Sequence, residues 1–391
     1  MNTYEPLRIW HVDTDASRDA VDGVAAYVNA VAVEQCRAGH AVTVFSRVEV
    51  SHERRAELAQ RGIRVVQAQR GAHSLDPRPV VEELRRERPD VVQIHGAWIP
   101  RMAAVAALLR RAGIPYVYTP HGGLASAVRS TKRLRRWIYT AVAETPLVTG
   151  AAAVAPVVAS EMSEIAAIAP GFSGHERVVM PPVRPIPEEW MRGAVEPPRG
   201  RPRVLFLGRF EPFQKGIDDL VEMARHAPDV DVELYGSTLP EDQVEVDHIR
   251  RKAPGNVTFH PPVFGEDKIR LLRSGTLYVQ LSRFEGFPVS IGEAMTVGLP
   301  CAVSERLGIA ALFRTERVGA VLPTDPAHAA EVISRLAHDE VALARYAGAG
   351  REFASDHLSP VAAAEGLVEL YRAAVGTPLT DADVALEALA G

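Results

Sequence analysis

Two glutamates, Glu285 and Glu293, stand where a strand-like run passes into a helix-like segment. The apolar run at 276–281 precedes Glu285, and a segment with helical composition begins at Val289. We therefore expect Glu285 on a loop at the carboxyl end of a strand, and Glu293 in the early turns of the next helix. Ligands of open α/β sheets bind in the crevice outside such strand ends. The helix start at Pro288 and Val289 would add amide donors and a positive dipole end, which favour a phosphate.

Two cations follow a second strand-like run, at 203–207. Arg209 comes just after this run, and Lys215 stands directly before a predicted helix over 217–226. Arginine forks onto phosphate oxygens, while lysine supplies a point charge. The pattern favours an anion site at the carboxyl edge of the sheet, with ordinary surface cations as the alternative.

Two further predicted strands, within 89–96 and 115–123, each end in a histidine followed by glycine. His95 and His121 are therefore expected at the same kind of sheet edge as Glu285. The glycines after His121 allow a sharp turn that would project its imidazole into the crevice. A structural role remains the alternative for both histidines.

The string from Glu285 to Met295, with Gly286-Phe287-Pro288 after the first glutamate, resembles a known signature. It is similar to that of retaining nucleotide-sugar glycosyltransferases, specifically glycosyltransferase family 4, whose members have the two-domain GT-B fold. The resemblance implies that Glu285 contacts the donor sugar and that Glu293 holds the ribose hydroxyls. It also implies that loop amides at Gly286 and Phe287 reach the sugar and the diphosphate.

The same resemblance implies roles for residues elsewhere. Arg209 and Lys215 match the phosphate-binding pair, and His121 the histidine that lies against the donor sugar. Gly23 begins a predicted helix whose backbone amides approach the donor diphosphate, together with Pro288 and Val289. Backbone groups near Val263 would hydrogen-bond the nucleotide base, uracil or guanine. The acceptor is expected near His95 and Trp98.

The resemblance also implies retention by front-face transfer, with His121 and Glu285 as the catalytic residues. It implies no metal and no cofactor, the nucleotide diphosphate-sugar being a substrate. The function expected is transfer of a hexose-type sugar to a glycan, a lipid-linked sugar or a small molecule. Cell-surface glycan or secondary-metabolite biosynthesis in a bacterium would be the setting.

Length and proline content predict the domain organisation. A chain of 391 residues exceeds one ordinary core, and prolines cluster between Pro181 and Pro202. The fold class expected is α/β with GT-B architecture: two Rossmann-like, doubly wound parallel-sheet domains that face each other across a cleft. The boundaries predicted are 1–182 for the N-terminal, acceptor-side domain with a crossing helix at 361–375, 183–202 for the linker, 203–360 for the C-terminal, donor-side domain, and 376–391 for a tail. Further strands are predicted at 148–158 and 178–180.

Composition excludes several classes of protein. A net charge of -5 argues against bulk nucleic-acid binding, and Cys36 and Cys301 match no metal or redox spacing. No signal peptide or long apolar span is visible, which predicts a cytoplasmic protein. The basic run within 129–136 has two interpretations. It is either a solvated helix face or a patch that faces a phosphorylated acceptor or the anionic inner face of a membrane.

Three other functions compete with sugar transfer. A nucleotide-sugar epimerase of the same general fold would need acid and base groups near C2 and C3, which the string after Glu285 does not offer. A glycosidase would pair Glu285 with Glu293 across a sugar, whereas Arg209 and Lys215 favour a phosphate ligand. A binding protein or inactive partner subunit would need no turnover at all.

Overall fold

The computed structural model describes residues 5–17, 23–70, 74–124, 137–192 and 200–376. The chain forms two compact units: unit 1 comprises residues 1–182 and 360–391, and unit 2 comprises residues 183–359. The basic run at 129–136 and all but the first residue of the predicted tail lie outside the described residues. Within the described part of the chain, no helix has the length and apolar character needed to cross a bilayer.

Unit 1 is built on a seven-stranded sheet whose strands pair in parallel, in the order β3-β2-β1-β6-β7-β8-β9. Its strands are β1 (Arg8–Thr14), β2 (Ala41–Ser46), β3 (Ile63–Gln67), β6 (Val91–His95), β7 (Tyr116–Thr119), β8 (Ala153–Val154) and β9 (His175–Glu176), with a separate antiparallel pair β4 (Gln69–Arg70) and β5 (Ser74–Leu75). Its helices are α1 (Gly23–Arg37), α2 (His52–Gln60), α3 (Arg78–Arg86), α4 (Pro100–Arg111), a π-helix (Thr140–Glu144), α5 (Thr145–Thr149), α6 (Ser160–Ile168) and the C-terminal α16 (Pro360–Gly376).

The strand order of unit 1 reverses between β1 and β6. The chain builds outward from β1 through β2 to β3, and then returns to place β6 on the other side of β1. Helices α1 and α16 pack against each other and share one apolar cluster with β1. The carboxyl ends of β1 and β6 therefore form a topological switch point, where α/β sheets bind ligands.

Unit 2 is built on a six-stranded parallel sheet in the order β12-β11-β10-β13-β14-β15. Its strands are β10 (Arg203–Leu207), β11 (Asp231–Tyr235), β12 (Val257–His260), β13 (Leu277–Gln280), β14 (Cys301–Ser304) and β15 (Gly319–Leu322). Its helices are α7 (Glu188–Met191), α8 (Pro212–Lys215), α9 (Ile217–His226), a 3-10 turn (Pro240–Asp242), α10 (Gln243–Lys252), α11 (Gly265–Ser274), α12 (Val289–Val297), α13 (Ala310–Glu316), α14 (Pro326–Ala337) and α15 (Glu340–His357). Here the order reverses between β10 and β13.

Two predicted strands are wrong. The apolar stretch at 148–158 contains the end of helix α5 and only a two-residue strand, β8. Pro146 at a helix start and Gly150 at its end fit the helix. The strand predicted at 178–180 is instead confined to His175–Glu176. The N–H of Val179 still donates to the carbonyl of Pro156, but Pro156 has no N–H with which to continue the ladder. The predicted α/β class with two doubly wound parallel sheets is confirmed.

Candidate active site

An ion pair stands at the switch point of unit 2. Lys215 Nζ lies 2.7 Å from Glu285 Oε2, and only 16% of the lysine and 9% of the glutamate side chain are exposed. The other carboxylate oxygen accepts hydrogen bonds from Gln280 Nε2, at 3.0 Å, and from the Ser282 hydroxyl. Glu285 therefore has its orientation fixed by three side chains, one of which is a cation.

The loops that carry this pair are held close together. Gly216 has φ +64°, and a Cβ atom there would lie 2.4 Å from the carbonyl oxygen of Leu281, so only glycine fits. The Arg283 N–H donates to the carbonyl of Gln214 at 2.8 Å. The guanidinium of Arg283 also donates to Asp218 at 2.7 Å, at the start of α9. These contacts fix Lys215 against the Glu285 loop.

The sequence reasoning missed the polar side chains that support Glu285. Tyr278, Gln280 and Ser282 alternate along β13 and just past its end, so they share one face of the sheet. The Tyr278 hydroxyl lies 3.0 Å from Gln280 Oε1 and 2.8 Å from Ser290 Oγ, in the first turn of α12. Polar residues at alternate positions of an otherwise apolar strand were the signal for this network.

Helix α12 begins directly after the Glu285 loop. Pro288 is its N-cap and Val289 its first residue, and within the described chain no side chain caps this end. The first-turn amides can therefore serve a ligand anion. Phe287 is buried, so its side chain anchors the loop, and only the backbone of Gly286 and Phe287 can face a ligand.

Glu293 lies one turn further along α12, and Lys268 of α11 pairs with it. The sequence reasoning missed Lys268.

Val263 is half-buried in the loop between β12 and α11. Arg209 follows β10, with 52% of its side chain exposed and its guanidinium 3.4 Å from Glu211 Oε2. Arg209 is thus the least constrained of the predicted phosphate ligands.

In unit 1 the structure joins two predicted site residues directly. His95 is the fully buried last residue of β6, and its Nδ1 lies 2.9 Å from Nε2 of His121. His121 has φ +52°, a left-handed conformation that costs about 1–3 kcal/mol in a non-glycine residue. Burial lowers the pKa of His121 to about 3, so the ring is neutral. Such strain and desolvation are typical of functional sites.

A buried carboxylate holds the turn that follows His121. Glu161 accepts hydrogen bonds from the Gly122 N–H and, at 2.7 Å, from the Val157 N–H. Burial raises the pKa of Glu161 to about 7. The sequence reasoning missed Glu161, because nothing in its local pattern separates it from a helix-surface glutamate.

The remaining predicted residues lie at the margins of these clusters. Trp98 also has a positive φ, and its indole N–H donates to the carbonyl of Gly123 at 2.5 Å. Gly23 is the exposed first residue of α1, with open space where a Cβ atom would stand. Among the residues that the structure describes, no three His, Cys, Asp or Glu side chains converge as metal ligands would.

Two family models match the chain, one in each unit. Residues 22–182 match the "Glycosyl transferase 4-like domain", and residues 201–339 match "Glycosyl transferases group 1". The chain has two doubly wound parallel sheets and matches a glycosyltransferase model in each unit. It therefore belongs to the glycosyltransferases of the GT-B fold.

Individual relatives are distant. The chain is 28% identical over 215 residues to alpha-maltose-1-phosphate synthase of Mycolicibacterium smegmatis, an alignment that covers 51% of this chain and 55% of that protein. The chain thus spans about half the length of that curated relative. Sucrose-phosphate synthase from Thermosynechococcus elongatus superposes with a TM-score of 0.72 at 18% identity, over 93% of this chain and 98% of that one. Anabaena HepE in complex with UDP and glucose superposes with a TM-score of 0.69 at 16% identity, over 93% and 98% of the two chains. These likenesses show the shared fold.

Proposed function

We propose that the protein transfers a hexose-type sugar from a nucleotide diphosphate-sugar to an acceptor hydroxyl, with retention of the anomeric configuration. The observation that carries this proposal is the Lys215–Glu285 pair at the switch point of unit 2. A cation for the diphosphate and a carboxylate for the sugar stand side by side there, next to the open start of α12.

The diphosphate would bind where positive groups converge. Lys215, Arg209 and the first amides of α12 would stabilise the charge that develops on the β-phosphate as the sugar departs. Fixed positive groups aimed at developing charge are usually the largest catalytic contribution, and losing one costs on the order of 3 kcal/mol. Because these groups do the work of a divalent cation, transfer is expected without a metal.

Further residues would hold the rest of the donor. Glu285 and His121 would orient hydroxyls of the donor sugar, with the backbone of Gly286 and Phe287 beside it. Glu293 would bind the ribose hydroxyls, and the backbone near Val263 would bind the base. On α1, backbone amides near Gly23 would approach the diphosphate.

The proposed reaction balances without a further reactant. The bond from C1 of the sugar to the β-phosphate oxygen breaks, and its electron pair leaves with the phosphate. The acceptor oxygen forms its bond to C1 on the same face, and its proton moves to the leaving phosphate oxygen. The products are a glycoside and a nucleoside diphosphate.

UDP-glucose is the first donor to test, because UDP and glucose occupy the Anabaena neighbour. The acceptor would be a glycan, a lipid-linked sugar or a small natural product in a bacterial pathway, with His95 and Trp98 on the acceptor side of the site. We place the enzyme in the cytoplasm, and residues 129–136, outside the described chain, are the candidate for a peripheral membrane contact.

The decisive experiment measures release of nucleoside diphosphate from UDP-, GDP- and ADP-sugars in the presence of an acceptor panel. We expect release with one donor class, loss of release in Lys215→Ala, and normal release in the control Lys252→Ala, which removes an exposed lysine of unit 2. Proton NMR of the product should show the donor's anomeric configuration. Tight binding with no turnover would indicate a binding subunit, and an inverted product would contradict retention.

A further inference from the structure

His121 is the end of a chain of hydrogen bonds that runs through the core of unit 1. His11 Nδ1 lies 3.0 Å from His95 Nε2, and His95 Nδ1 lies 2.9 Å from His121 Nε2. At the other end, His11 Nε2 lies 2.9 Å from Gln35 Oε1, on helix α1. The neighbouring rings are nearly coplanar, with interplanar angles of 18° and 28°. The three imidazoles therefore form one continuous file from α1 to the turn after β7.

Each ring in this file is neutral. His11 and His95 are fully buried, burial lowers the pKa of His11 to about 4, and it lowers the pKa of His95 well below its ordinary value. A neutral imidazole carries one N–H and one lone pair. Every ring must then donate in one direction and accept from the other, so the whole file has a single polarity.

The polarity is set by the groups beyond His11. Gln35 Nε2 donates to the Tyr371 hydroxyl at 3.4 Å, which leaves Gln35 Oε1 to accept from His11. The Tyr371 hydroxyl in turn donates to Gln93 Oε1, and Gln93 Nε2 donates to the Thr119 hydroxyl at 2.7 Å. This arrangement follows from satisfying the whole hydrogen-bond network, the ordinary basis for assigning amides and tautomers.

The consequence can be followed ring by ring. His11 carries its proton on Nε2 and accepts on Nδ1 from His95. His95 likewise carries its proton on Nε2 and accepts on Nδ1 from His121. His121 therefore carries its proton on Nε2, and its Nδ1 lone pair has no partner among the described residues.

We propose that Gln35 and Tyr371 are positioning residues that fix His121 as the Nε2–H tautomer, so that its Nδ1 accepts a hydrogen bond from a hydroxyl of the donor sugar. The hydrogen bond to the sugar rests on the proposed sugar transfer, whereas the assignment of the Nε2–H tautomer does not. Tyr371 belongs to the C-terminal helix α16. Helix α16 thus completes the site chemically, in addition to covering the core.

The histidine tautomers can be measured by nitrogen-15 NMR of histidine-labelled protein at neutral pH. In the wild type, His121 should show a proton on Nε2 and a bare Nδ1. Tyr371→Phe removes the hydroxyl that orients both Gln35 and Gln93, and Gln35→Leu removes the acceptor for His11. Both variants should give a mixture of His121 tautomers. Tyr116→Phe, which removes another buried hydroxyl of unit 1 that donates to Leu147, should leave the tautomer unchanged.

Kinetics then test the link to the reaction. Tyr371→Phe should lower kcat about tenfold, the effect of one neutral hydrogen bond, while the affinity for free nucleoside diphosphate stays the same. A proton on Nδ1 in the wild type, or a His121 tautomer that neither variant alters, would overturn the proposal. A normal kcat in a variant whose tautomer has shifted would overturn the catalytic role. A wild type that transfers no sugar would refute the proposed function and leave the NMR result standing.

Discussion

In unit 2 the central pair of candidate residues is charged, whereas in unit 1 the central candidates are neutral rings, His95 buried and His121 half-buried. Lys215 and Glu285 meet as an ion pair at a loop edge. His121 is joined to His95 and His11 by hydrogen bonds that need no charge. Both clusters lie at the switch point of their own sheet.

The difference teaches what each cluster can do. Charges are costly to bury, so groups that bind an anion stay near the surface, where the ligand supplies the counter-charge. Neutral hydrogen-bonding groups can be buried when every partner is satisfied, and a satisfied buried network is rigid. We therefore expect unit 2 to provide affinity for the diphosphate, and unit 1 to provide orientation of the sugar.

The largest effect should come from the cations of unit 2. Lys215→Ala and Arg209→Ala should each lower kcat/KM by about 100-fold or more, because each removes a positive group from the leaving phosphate. Steady-state kinetics with the preferred donor measure this. Lys252→Ala is the matched control, and near-normal turnover in both site variants would refute the diphosphate assignment.

His121→Ala should lower kcat about 100-fold and leave the affinity for free nucleoside diphosphate unchanged. A misplacement of about 1 Å at the reacting centre can cost this much. His52→Ala, which removes an exposed histidine of α2, is the control. A variant that unfolds at a lower temperature but keeps its activity per folded molecule would make His121 structural.

Glu293→Ala should weaken nucleoside diphosphate binding by roughly 10–100-fold, the effect of one hydrogen bond to a charged group. The value of kcat should change little, since a ribose contact is shared by ground and transition states. Calorimetric titration measures this. Glu266→Ala, at the exposed start of α11, is the control, and an unchanged affinity for Glu293→Ala would assign Glu293 to the helix surface.

The neutral histidines predict acid sensitivity of unit 1. Since burial lowers the pKa of His11 from 6.5 to about 4, the folded state binds fewer protons than the unfolded state between these values. Its contribution to stability is complete above pH 6.5 and falls as the pH drops toward 4, by at most about 1.4 kcal/mol per pH unit for each proton. The Tm of wild type should therefore fall more steeply below pH 6.5 than that of His11→Gln. If the Tm of the two proteins falls in parallel as the pH drops, the neutral state of the buried histidines is contradicted.

The smallest effect should be that of chelation. Turnover is expected to survive EDTA, because Lys215, Arg209 and the start of α12 already supply positive charge. The assay compares the initial rate with and without chelator. Complete loss of activity that magnesium or manganese restores would contradict this part of the account.

The sequence predicted where strands and helices begin and end better than it predicted which side chains contact each other. The strand before Glu285 and the helix at Val289 follow from local patterns, since apolar runs and helix-end signals are local properties. The pairing of Glu285 with Lys215 depends on strand order, which no local pattern specifies. The contact of Glu285 with Gln280, five residues earlier, does leave a local signal. The file from His11 to His121 depends in addition on Tyr371, which helix α16 brings from the end of the chain. Short apolar stretches such as 148–158 do not distinguish strand from helix.

The most direct test of the division between the units is paired calorimetric titration with a nucleoside diphosphate and its sugar, beginning with UDP and UDP-glucose. The account predicts that Lys215→Ala weakens the binding of both ligands, on the order of 10–100-fold for a charged contact. It predicts that His121→Ala weakens only the sugar-bearing ligand, about tenfold, and leaves UDP binding unchanged. Equal losses for both ligands in His121→Ala, or no loss for either ligand in Lys215→Ala, would contradict it.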